Sequence, residues 1–141
     1  MMRAPMPTPG ARAGLALALL LAAAPAARAA CDAGPGVLLG KTPKVALAFR
    51  TTPPVIKVGE LFSLQAEVCP QDGVSVTGLR VDAGMPAHKH GMNYQPRVSS
   101  TGPEKYTATG LMFHMPGQWQ FAFDVETSAG RERIRVDYTA Q

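Results

Sequence analysis

Much of what this sequence could have carried is missing. No Gly-x-Ser-x-Gly, Walker or His-Glu-x-x-His motif occurs, and no nucleophile–base pair stands out, so the chain reads as a binding protein rather than an enzyme. There is no repeat, no helical period in any convincing segment, and no basic patch of the kind nucleic acid requires. No apolar run is long enough to span a bilayer. The longest, Leu15 to Ala24, follows Arg3 and Arg12 and ends near Ala27-Arg28-Ala29. A charged start, a short apolar run and a small-x-small site are the marks of a signal peptide over residues 1–29, cut after Ala29. A short membrane anchor is the competing reading.

Cleavage would remove Arg3, Arg12 and Arg28 and no acidic residue, taking the 14 basic residues to 11 against 10 acidic ones. The high pI is therefore partly a property of the leader. Residues 30–141 are enough for one small domain and too few for a large multi-step enzyme. Both cysteines, Cys31 and Cys69, survive cleavage. Export to an oxidising compartment makes one disulfide the first reading. Lipid attachment at Cys31, or two free thiols, are the alternatives.

Residues 30–44, rich in Gly, Pro and Lys, read as a flexible lead-in to a domain over 45–141. Beyond it the apolar residues alternate with period two. Strands are expected over 45–49, 61–68, 74–82, 105–114, 119–126 and 131–138, with a short extended piece at Val98. In the clearest of them Trp119, Phe121, Phe123 and Val125 alternate with Gln120, Ala122, Asp124 and Glu126. Six to seven short antiparallel strands with one apolar face make an all-β, immunoglobulin-like sandwich.

After residue 29 the chain holds three His and four Met, and all fall in two segments. Met85, His88, His90 and Met92 lie in one; Met112, His114 and Met115 lie in the other. A simple meander brings both segments to the same end of the sandwich. Imidazole with thioether suits a soft or borderline ion, and thioethers favour Cu(I). Three imidazoles together would suit Cu(II). His88 and His90, two apart, point to one side if the chain there is extended, and Met112 and His114 share a face for the same reason. The residues expected to hold the metal are His88, His90, Met92 and His114, supplemented by Met115, Met85 and Met112. Core packing is the competing duty for each Met. Trp119 follows the second segment and would either cover the site or pack in the core. Cys69 has Pro70 after it and no His nearby, which argues against a blue-copper centre. Cleavage would leave Ala30 first, so no N-terminal His brace forms.

The runs Met85-Pro86-Ala87-His88-Lys89-His90-Gly91-Met92-Asn93-Tyr94 and Gly110-Leu111-Met112-Phe113-His114-Met115-Pro116-Gly117-Gln118-Trp119 resemble the small exported YtkA-like domains, relatives of the FixH-like group. The resemblance spans residues 45–138. It implies an immunoglobulin-like sandwich outside the cytoplasm, in places near copper-handling systems. The clustered Met and His are also similar to those of periplasmic chaperones that carry Cu(I) to cytochrome oxidase, although His114-Met115 stands where those proteins have His-x-Met. Two functions follow as expectations. One is periplasmic copper binding or trafficking, with an envelope protein that donates or receives the ion. The other is a metal-free interaction or structural module of the cell envelope. Neither involves nucleic acid or a membrane span after cleavage.

Overall fold

The computed structural model describes residues 1, 2, 4, 10, 31 and 34–141. The expected signal-peptide run and its cleavage site lie outside the described residues. Among the described residues there are nine strands: β1 Leu38–Lys41, β2 Val45–Thr52, β3 Leu61–Pro70, β4 Val76–Met85, β5 His90–Gly91, β6 Arg97–Gly102, β7 Lys105–Met112, β8 Gly117–Thr127 and β9 Gly130–Ala140. One short 3-10 turn, Pro86–His88, interrupts them. No helix among the described residues is long and apolar enough to cross a membrane.

The strands form two antiparallel sheets, β1-β2-β3-β7-β6 and β5-β4-β8-β9. The expected immunoglobulin-like sandwich is the observed architecture. Period-two alternation gives each sheet one apolar face, and the two faces meet as the core. Phe49 of β2 bridges them, with ring centroids 5.1 Å from Phe121 and 4.8 Å from Phe123 of β8. Leu47, Leu64, Val68, Val81, Val125 and Ile134 fill the space around these rings.

Residues 38–41, inside the stretch read as a lead-in, form β1 and pair with β2 in register Gly40↔Leu47. The strand also leans on β9. A Cβ on Gly40 would run into Ile134 and would stand 2.9 Å from Val136 Cγ2. Glycine is what permits that approach, and so short a strand gives little alternation to read. Cys31 and Cys69 form a disulfide, Cα–Cα 5.6 Å, that fastens the start of the described chain to the end of β3.

Candidate functional site

β4 runs three residues further than its alternation suggested, to Met85, and this places the first His/Met segment. Gly84 is level with Gln120 of β8, so Met85 comes level with Trp119 on the inner face. Both are buried, at 2% and 1% exposure. Beyond Met85 the chain makes its 3-10 turn and returns as β5, where His90 stands opposite Met85. Partners across an antiparallel ladder share a face, so His90 turns toward the same end of the core.

The second segment arrives from the other sheet. Leu111 and Phe113 are fully buried, and Phe113 stacks on Trp119 with centroids 4.4 Å apart and planes 12° apart. The indole Nε1–H donates to the Met115 carbonyl at 2.9 Å. These two contacts hold the 113–117 turn against β8. His114 then stands edge-on to Trp119, centroids 5.3 Å apart at 86°. Gly117, which opens β8, has φ +126°, and a Cβ there would stand 2.9 Å from Met85 Cε. A side chain at this position would push the buried thioether away.

The two segments meet. His90 lies 5.6 Å from His88 and 5.2 Å from His114 between ring centroids, so His90 is the ring that meets both others. Metal–imidazole bonds of about 2.0 Å put two rings on one ion with centroids about 5–6 Å apart. His90 Nδ1 is 3.2 Å from the Gly91 carbonyl, which can only accept. In the neutral ring, a hydrogen bond there puts the proton on Nδ1 and leaves the Nε2 lone pair available. His114 Nδ1 is buried and has no hydrogen-bond partner.

The thioethers divide. Met85 is in the core, Met92 and Met115 pack half-buried against it, and the Met92 amide bonds the Ala83 carbonyl at 3.2 Å. Met112 pairs with Leu61 in the β3–β7 ladder, one residue from the inward Leu111. It therefore faces away from the core, and the alternation of burial carries on past the end of β7 through buried Phe113 to half-buried His114. His88 and His90 converge by a route other than an extended chain. Between them Lys89 takes a left-handed conformation, φ 53° and ψ 36°, a geometry uncommon for a residue with a Cβ. The Pro86 and Gly91 that flank this segment are the sequence signal for a turn there.

Among the described residues, no group of three or more His, Cys, Asp or Glu side chains is arranged to hold a metal ion. One or two imidazoles joined by Met sulfurs would be a donor set for a soft ion. Beside the cluster a groove of about 730 Å³ opens to solvent, lined by Met85, Lys89 and His90 and by Asp82, Gln120 and Asp124 from the outer face of the β4–β8 sheet.

Residues 42–124 match the family described as YtkA-like. No curated protein and no solved structure matches the chain.

Proposed function

This chain belongs to the YtkA-like family, and on that premise we propose that it is an exported soft-metal-binding protein that holds or passes on copper, as Cu(I), in the periplasm. Its chemistry is binding and transfer, without turnover. The observation that carries the reading is the pair of ring nitrogens at one end of the sandwich. His114 Nδ1 is buried with no partner, and His90 Nε2 is left free by the Gly91 contact. A buried polar atom without a partner costs about 1–3 kcal/mol, and an ion between the two imidazoles removes that cost. Met115 and Met92, in the same two segments, are half-buried against the core, and His88 is exposed. A ligand set that runs from buried to exposed suits exchange with an envelope protein that donates or receives the ion. Ala27-Arg28-Ala29 after the apolar run supports export, and the disulfide suits an oxidising compartment.

The test is competition for Cu(I) with a chromophoric chelator. Wild type should withdraw one ion per chain. A His88→Ala, His90→Ala, His114→Ala variant should remain folded, because its substitutions avoid the Phe49–Phe121–Phe123 core, and should lose most of that uptake. Because imidazole binds only when neutral, uptake should weaken in acid without vanishing, since thioethers do not protonate. If the wild type never competes, or the triple variant competes equally well, the metal-free interaction module becomes the better reading.

A further inference from the structure

We infer that the indole of Trp119 is itself one wall of the metal site, in cation–π contact with the ion, and that it restricts the occupant to a monovalent soft ion of low coordination number. This rests on the metal-binding reading above. The argument begins with the triangle formed by Trp119, His90 and His114. The indole centroid is 6.1 Å from His90 and 5.3 Å from His114, and the two imidazoles are 5.2 Å apart. The midpoint between the imidazoles therefore lies about 5 Å from the indole centroid. An aromatic face attracts a cation within about 6 Å of its centroid, and Trp does so best of the three aromatics. An ion shared by His90 and His114 falls near that midpoint, within reach of the ring.

The indole is also fixed in place. It is 1% exposed, Phe113 stacks on it at 4.4 Å, and its N–H is engaged by the Met115 carbonyl. It cannot swing aside to admit water or a further donor from the core side. Tetragonal Cu(II) asks for several nitrogen and oxygen donors around it. Here one side is taken by an apolar ring, and what remains is two imidazoles and thioethers. Cu(I) accepts few ligands and soft ones. The same Trp119–Met115 bond ties the backbone of one thioether residue to the wall.

Trp119 is the chain's single Trp, so its emission reports on this place alone. Wild-type protein is titrated with Cu(I) supplied from a weak chelator, and in parallel with Ag(I), a redox-inert monovalent soft ion. Emission should fall in step with chelator-reported occupancy and level off at one ion per chain. A Trp119→Phe variant keeps an aromatic ring against Phe113. It should bind Cu(I) roughly 3- to 30-fold more weakly, with no loss of Cu(II) affinity. Full occupancy without a change in emission would overturn the wall while leaving the proposed function standing, as would unchanged Cu(I) affinity in the Phe variant. If wild type takes up neither ion, the proposed function and this inference fall together. Should the Phe variant not fold, the wild-type titration decides alone.

Discussion

The two ends of the sandwich are built to different ends. At one, the start of β2, the end of β3 and the β8–β9 turn are fastened by a covalent bond and by ion pairs. Cys31 is bridged to Cys69. Lys44 Nζ reaches Glu132 at 3.2 Å and the Ala129 carbonyl at 3.2 Å, and the Glu132 carboxyl is held below its ordinary value by the Thr42 hydroxyl and by Lys44. Arg131 pairs with Glu126. At the other end, three imidazoles crowd together, thioethers stand half-buried, and one buried ring nitrogen has no partner. Native proteins leave few buried polar groups unsatisfied, and those they leave tend to have a use. The contrast separates duties. One end secures the fold so that the other can hold an arrangement that packing alone would not favour.

Separate duties mean that each end can be perturbed without the other. The largest effect is expected from the fastened end. Reducing the disulfide, or replacing both cysteines by Ser, should lower unfolding stability by about 2–4 kcal/mol in chemical denaturation, with Cu(I) uptake of the folded protein unchanged. A parallel loss of uptake would break the comparison. At the other end, Gly117→Ala meets both a positive φ and the Met85 methyl. It should cost about 1–3 kcal/mol and, unlike the cysteine change, should also weaken Cu(I) binding, because Met85 and the 113–117 turn must shift.

The smallest effect concerns Asp124. Two short bonds from Arg133, 2.6 and 2.7 Å, hold its carboxyl below the ordinary value against the opposing effect of burial. A carboxyl depressed in the folded state adds stability above its unfolded value of about 4, and that stability is lost as pH falls through the lower folded value. Arg133 is half exposed, so the contribution is on the order of 1 kcal/mol or less. Stability measured from pH 6 down to pH 2 should fall less steeply in Arg133→Ala than in wild type. Parallel curves would remove the pair from the account.

The long strands were legible because each alternates over six or more residues. Trp119–Val125 shows it best, and the observed β8 extends it by two residues at each end. The convergence of the His and Met segments was legible too, since an up-and-down course through β4, β6, β7 and β8 puts both at one end. What could not be read was local. β1 and β5 have four and two residues, too few for any period to show. The extension of β4 to Met85 crosses Gly84, where alternation is silent, and this extension turns Met85 into a core residue level with Trp119. Lys89 folds back in a left-handed conformation that a sequence assigns to Gly or Asn more readily. Met112 faces away from the core at the end of β7, next to the inward Leu111.

The central claim is that one soft ion sits between imidazole and thioether at the His/Met end. X-ray absorption at the copper edge of the Cu(I)-loaded protein tests it most directly. The account predicts a first shell of one or two nitrogens at about 2.0 Å together with sulfur at about 2.3 Å, and loss of that shell in the His88→Ala, His90→Ala, His114→Ala variant. A shell of nitrogen and oxygen only, or the same spectrum from the triple variant, would contradict it.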